Sequence, residues 1–211
     1  MVHDNYILTA AHCLDSNYES IEIFYGSSDY KDAASGIAVA NHAECMNGFE
    51  ILGGGIDNDL ALINISDDVF DDLRDTLEVA PIADIRSIVR DNPNDTDFII
   101  AGWGLTGTTT NEQGQTVYTD TTELREGRMK FNKYTASTIK VSPKIFRGRL
   151  SAICGGDSGG PLYWENSNGD KEIAGVVSTE VTANTCLKPN DAQFVNLSQH
   201  QIWLESFPDW N

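Results

Sequence analysis

Apolar residues run along the chain in short stretches, each bounded by Gly, Asn, Asp or Ser. Eight such stretches read as strands: Ile21–Tyr25, Ile37–Ala40, Leu60–Ile65, Phe98–Ala101, Met129–Phe131, Pro161–Trp164, Ile173–Ser178 and Gln193–Leu197. Several alternate with period two, as in Ile21-Glu22-Ile23-Phe24, the signature of a half-buried strand. Many short strands separated by turn signals imply an all-β sandwich or barrel. Helical spacing is clear near the end, where Ile202, Trp203 and Phe207 follow Ser198 as a predicted cap. The polar stretch Gly104–Thr122 reads as a long surface loop. The turn cluster Asp91–Asp97 divides one strand-rich half from another, and there is no internal repeat. The 211 residues suit one large β domain, or two small ones sharing an interface.

Composition narrows the partners. Hydrophobic residues make up 40% and charged residues 22%, which excludes a wholly disordered chain. Acidic residues number 32 against 14 Lys+Arg, a net charge of -18. That field repels nucleic-acid phosphates and anionic lipid, so neither is expected as a partner. No apolar run reaches membrane-spanning length. Met1-Val2-His3-Asp4-Asn5-Tyr6 has neither the basic region nor the apolar stretch of a signal peptide. The four cysteines, Cys13, Cys45, Cys154 and Cys186, form no CxxC pair, which disfavours a zinc ribbon or a thioredoxin-like site. Asp91–Asp97 lacks the ligand spacing of a helix–loop–helix calcium site, so no metal is expected there. Asn-x-Ser/Thr sequons begin at Asn64, Asn94 and Asn196.

Candidate chemistry lies in three segments. Residues 154–161 read Cys-Gly-Gly-Asp-Ser-Gly-Gly-Pro. Such a stretch suits a serine on a tight turn, with the amides of Gly156 and Ser158 free to meet a developing oxyanion. A glycine-rich turn that merely contains a serine explains the composition equally well. A nucleophilic serine needs a base, and the base an orienting acid. Of the four histidines, His12 follows the small residues of Leu8-Thr9-Ala10-Ala11, which leave its ring room to face a cleft. His42 and His200 sit in polar surroundings and read as surface residues, and His3 lies at a terminus. Asp59 directly precedes the apolar run Leu60-Ala61-Leu62-Ile63, where a carboxylate can be desolvated against an imidazole. Asp57 is the competing acid, and chemistry alone does not choose between them.

Taken together, Thr9-Ala10-Ala11-His12-Cys13, Asp59-Leu60-Ala61-Leu62 and Gly156-Asp157-Ser158-Gly159-Gly160-Pro161 resemble the histidine, aspartate and serine segments of the chymotrypsin/trypsin family. They occur in that family's order. Ala101-Gly102-Trp103-Gly104 and Val176-Val177-Ser178 resemble further family segments, so the likeness covers nearly the whole chain. It implies two antiparallel six-stranded β-barrels around a cleft, over residues 1–90 and 98–197, with a terminal helix at 198–207. It implies a serine endopeptidase: Ser158 as nucleophile, His12 as base, Asp59 as its orienting acid, Gly156 and Ser158 as oxyanion donors, and Ser178 as support for Asp59. It implies no cofactor and no metal. Implied partners are protein or peptide substrates and protein inhibitors, and the implied setting is a secreted monomer. A Cys154–Cys186 disulfide is part of the same pattern. Cys13 and Cys45 lack their expected partners and are left unpaired.

The chain also departs from the family. Only eleven residues precede His12, whereas family members carry further strands and an Ile-Val-Gly-Gly-type N-terminus upstream. The favoured expectation is a longer natural protein, with Met1 internal; otherwise the chain is complete and a poor enzyme. In the family the freed N-terminal amine pairs with the aspartate preceding the serine, here Asp157. The pocket floor falls on Ala152, which argues for an apolar or small substrate side chain, and the walls fall near Thr179, Glu180 and Ala192. Against the enzyme stands the alternative of a silent homologue that binds partners; the intact His12, Asp59 and Ser158 weigh against it.

Overall fold

The computed structural model describes residues 6–14, 20–32, 36–40, 42–52, 55–65, 79–91, 95–180 and 190–207. The first half carries β1 (Tyr6–Thr9), β2 (Ile21–Tyr25), β3 (Gly36–Ala40), β4 (His42–Cys45), β5 (Glu50–Leu52), β6 (Gly55–Asp57) and β7 (Ala61–Asn64). They pair antiparallel as a sheet in the order β1-β7-β4 and as the ribbons β2–β3 and β5–β6. With a neighbour on each side, β7 buries three consecutive residues, Ala61–Ile63. This is why Leu60–Ile65 reads as a continuous apolar run and not an alternating one.

The second half holds α1 (Ile85–Asp91), β8 (Asp97–Gly102), β9 (Gly107–Thr110), β10 (Thr116–Thr119), β11 (Arg125–Tyr134), β12 (Thr138–Phe146), β13 (Arg149–Ser151), β14 (Pro161–Glu165), β15 (Lys171–Glu180), β16 (Ala192–Asn196) and α2 (Gln201–Leu204). Strands β11-β8-β14-β15-β16-β12 run in that order, and β11 pairs back to β12, closing a six-stranded barrel with β13 appended. Closure leaves no open edge in the ring and gives every inward side chain a dry interior. Phe98, Met129, Ile139, Leu162 and Phe194 fill that interior, each fully buried. Phe98 sits opposite Met129 across β8–β11 and lies 6.4 Å from the Phe131 ring. Phe98→Ala is expected to destabilise the domain by about 3–5 kcal/mol. Urea unfolding checks this; a loss under about 1 kcal/mol would contradict the packing described.

A second core joins the halves. Tyr6, Leu60 and Leu62 pack with Ile173, Val176, Val195, Leu197 and Leu204. Hydrogen bonds add to it: Leu124 N–H donates to Ser28 O (2.6 Å), Tyr30 N–H to Thr122 O (3.1 Å), and the Trp103 indole N–H to Ser28 O (2.9 Å). These contacts tie the two halves together.

Several expectations are corrected. Gly104–Thr122 is not a plain loop but contains the β9–β10 ribbon, turned by the Asn111 side chain, which accepts from the N–H groups of Gln113 and Gln115. Its strands are threonine-rich and largely exposed, so no apolar period announces them. Ser198 does not cap the final helix: it lies in a 3-10 turn, Leu197–Gln199, and donates to Asn196 Oδ1 (2.9 Å), while His200 holds the cap position of α2. His200 is no surface residue either; it is 9% exposed, and burial depresses its pKa. Helix α1 was not expected. Asp84 starts it by accepting from Arg86 N–H and the Ser87 hydroxyl, which holds its carboxyl below the usual range. Of the sequons, Asn94 lies outside the described residues. Asn196 is fully buried and donates to Thr135 O, so a glycan cannot be attached there in the folded state.

Candidate functional site

His12 and Asp59 are far apart in sequence and adjacent in space because β1 and β7 pair with Thr9 opposite Ala61. His12 stands on the 3-10 turn Ala11–Leu14 that follows β1, over the fully buried Ala10 and Ala11. Asp59 stands just before β7. The preceding Asn58 adopts φ +52, a region asparagine tolerates, and its side-chain amide donates to Asn47 O and Gly48 O. That turn throws the Asp59 side chain inward, where it is 0% exposed.

The carboxylate is fully engaged. Asp59 Oδ1 accepts from the His12 main-chain N–H (2.8 Å), and Oδ2 bonds to His12 Nδ1 (2.7 Å). Oδ2 also accepts from the Ser178 hydroxyl (2.6 Å). Ser178 is buried at a register shift of β15 against β16, a bulge that re-aims its side chain. Burial alone would raise the pKa of Asp59. The bonds from the His12 ring, Ser178 and the His12 amide outweigh it and hold the carboxyl below its ordinary range. His12 is raised to about 10, chiefly by its bond to Asp59 and then by Cys13, against an opposing contribution from burial. With Nδ1 occupied, Nε2 is the nitrogen left for chemistry. The exposed Cys13 thiol lies 3.8 Å from it.

The serine loop arrives from the second barrel. Gly156 and Gly159 have φ +94 and +78, which L side chains rarely adopt. Gly159 N–H donates to Val177 O (2.9 Å), and Val177 N–H donates to Gly160 O (2.8 Å), tying the loop to the strand that carries Ser178. A Cβ on Gly159 would overlap the Thr9 hydroxyl and stand 3.5 Å from Cys13 Sγ, so the residue after Ser158 is pressed against the turn that bears His12. Ser158 itself is exposed.

Asp157 anchors this loop from below. Its Oδ1 accepts from Gly104 N–H (2.9 Å) and its Oδ2 from Cys154 N–H (2.8 Å). Burial raises its pKa, and those two bonds partly offset the rise.

A trypsin family profile matches residues 1–204. The chain belongs to the trypsin family. It is 28% identical over 224 residues to Chymotrypsin-C of Bos taurus, covering 97% of this chain and 75% of that protein. It is 27% identical to Chymotrypsin-like elastase family member 3B of Macaca mulatta, over 97% of this chain and 79% of the relative. It is also 26% identical to Phenoloxidase-activating factor 3 of Holotrichia diomphalia, over 97% of this chain and 62% of that protein. The closed barrel, its companion half and the short terminal helix are those of a trypsin-like fold. The chain is accordingly a hydrolase of the serine endopeptidase class.

Around this trypsin-family site, the remaining expected positions are distributed as follows. Ala152 is half-buried and lines a cavity of about 580 Å³ with Cys154, Asp157 and Val177. Thr179 is half-buried on β15 opposite Gln193; Ala192 is fully buried and belongs to the barrel core. The Glu180 side chain and Cys186 lie outside what is described. Cys13 and Cys45 carry thiols. Among the described residues no group of three or more metal-ligating side chains occurs, and no helix is long and apolar enough to cross a membrane. Gly102 and Gly104 were missed as site residues: a Cβ on either would fall on the Asp157 carboxylate. The Ala101–Gly104 segment was the available signal.

Proposed function

We propose that this chain hydrolyses peptide bonds through Ser158, His12 and Asp59. The observation that carries the reading is the His12 Nδ1–Asp59 Oδ2 bond of 2.7 Å, made beneath a serine loop packed on the same turn. Asp59 fixes the tautomer with Nδ1–H and leaves the Nε2 lone pair free to accept a proton. Ser158 Oγ attacks the substrate carbonyl while His12 Nε2 takes its proton. The amides of Gly156 and Ser158 stabilise the oxyanion. Nε2 then gives the proton to the leaving amine as the C–N bond breaks. Water, deprotonated by His12, hydrolyses the acyl-enzyme and restores Ser158. Ser178 steadies Asp59. The cycle uses no cofactor.

Substrates are proteins or peptides, and Ala152 at the pocket floor favours an apolar or small side chain before the cut. Thr179, Glu180 and Ala192 belong to the same pocket proposal. Cys154 pairs with Cys186 in this reading and braces the pocket. The chain acts as a secreted monomer and meets protein inhibitors at the cleft.

A fluorophosphonate probe tests the reading: it should label the chain, and Ser158→Ala should abolish the label. A correctly folded chain that resists the probe would instead support a silent, partner-binding homologue. A peptide panel varied only before the cut should favour apolar or small residues over Lys and Arg.

The pH profile follows from His12. The base must be neutral to act, and its folded pKa is raised from 6.5 to about 10. The rising limb of kcat/KM is therefore expected well to the alkaline side of 6.5. The same linkage acts on stability. The raised His12 pKa contributes stability that is complete below 6.5 and lost as pH climbs through about 10. The depressed Asp59 pKa contributes stability present above 3.8 and lost as pH falls through its lower folded value. Asp59→Asn should flatten both limbs in thermal melts taken across pH.

A further inference from the structure

We propose that the β12–β13 hairpin, together with Arg125, is a docking surface for an acidic polypeptide segment. Cations are scarce in this chain, 14 against 32 acids. Several are already used: Lys140 pairs with Asp191 (3.1 Å), Arg128 with Glu165 (3.4 Å), and Lys144 with Asp97. Arg125, Arg147 and Arg149 have no ion-pair partner among the described residues, yet all three line one cavity of about 580 Å³. The acids lining it are Glu126 and Asp157, and both Asp157 oxygens are taken by main-chain N–H groups. The rim is thus locally positive on a strongly negative molecule.

The hairpin is also held in shape. Phe146 pairs with Arg149, and the two residues between them, Arg147 and Gly148, have φ +49 and +77, the two-residue turn that matches strand twist. The Arg147 guanidinium lies 4.8 Å from the centroid of the Phe146 ring, which limits its freedom before any partner arrives. Directly behind the turn, Ile145 and Leu150 face each other across the strands, 70% and 54% exposed. Successive pairs face opposite sides, so Ile145 and Leu150 lie on the other face of the ribbon from Phe146 and Arg149; a peptide that wraps the hairpin tip would meet the guanidiniums with carboxylates and this pair with apolar side chains. A bare polyanion would leave the pair uncovered and would be repelled by the rest of the surface. The cavity is the one that Ala152 also lines, so the docking surface adjoins the proposed substrate pocket, while its positive rim does not rest on the cleavage chemistry.

The test is fluorescence anisotropy of a labelled peptide of alternating Glu and Leu, using the full chain and its Ser158→Ala form so that the peptide is not consumed. Binding should weaken as salt is raised. It should fall about tenfold or more in R125E/R147E/R149E, which reverses all three charges at the rim. Ile145→Ser/Leu150→Ser should also weaken it. All five side chains are solvent-facing, and circular dichroism should confirm unchanged folding. Absence of binding, binding insensitive to the arginine reversals, or equal binding of heparin would each overturn the proposal. Because anisotropy reads binding alone, failure here is separable from failure of the protease reading, which the fluorophosphonate probe reports.

Discussion

Asp59→Asn is expected to lower kcat by about 10⁴ with little change in KM, the scale known for amidating the equivalent carboxylate in trypsin and not one calculated from this structure. The geometry explains why the loss should be so large. Asp59 is wholly buried, and its two oxygens accept three hydrogen bonds, from the His12 ring, the His12 amide and Ser178. An amide nitrogen at Oδ2 would present a donor to two donors. The His12 ring would then turn or adopt the other tautomer, with a proton on Nε2, where the base must be unprotonated. Substrate contacts outside the pair would persist, which is why the effect should appear in kcat. Steady-state kinetics on a short ester or amide substrate, with fluorophosphonate labelling rates alongside, would check it. A variant keeping more than a tenth of wild-type kcat would remove Asp59 from the mechanism.

The second large effect concerns a glycine with no chemistry of its own. Gly104→Ala would place a methyl group on the Asp157 carboxylate. Either the carboxylate loses its bond from Gly104 N–H or the main chain moves. Asp157 also holds Cys154 N–H, and its own N–H donates to Cys154 O, so the disturbance reaches residues 154–158. Loss of one oxyanion donor costs about 10²–10³ in kcat, and a displaced Gly156 amide should cost as much. Gly107→Ala is the control, because nothing lies within 4 Å of the Cβ it would add. Normal kinetics in both variants would show that Asp157 does not position the serine loop.

Both expectations depend on residues whose importance sequence alone could not rank. The short strand runs were legible because an apolar stretch in a barrel interior, such as Phe98–Ala101 or Leu60–Ile65, stands out from its polar borders. The β9–β10 ribbon and the nine-residue β12 were not legible, since threonines on an exposed ribbon and Lys-Val-Ser-Pro-Lys in a strand carry no clear period. Helix α1 was too short to show helical spacing. His200 looked like a surface histidine from its polar neighbours. Burial there is set by the packing of α2 on Leu197 and Tyr6, which lie on other elements.

Sequence by itself determined the family-bearing segments: His12 behind small residues, Asp59 ahead of an apolar strand, and Ser158 among glycines whose positive φ the loop requires. These are local demands, and local chemistry writes them into consecutive residues. The resemblance already implied Asp59 and Ser178; only the tertiary structure gives the bonds by which both meet, and puts Asp157 under Gly102 and Gly104. Those outcomes depend on strand pairing across long stretches of chain, where one register brings Thr9 beside Ala61 and a bulge turns Ser178 inward. No property of the individual residues carries that register; it is fixed by the collective burial of the two cores.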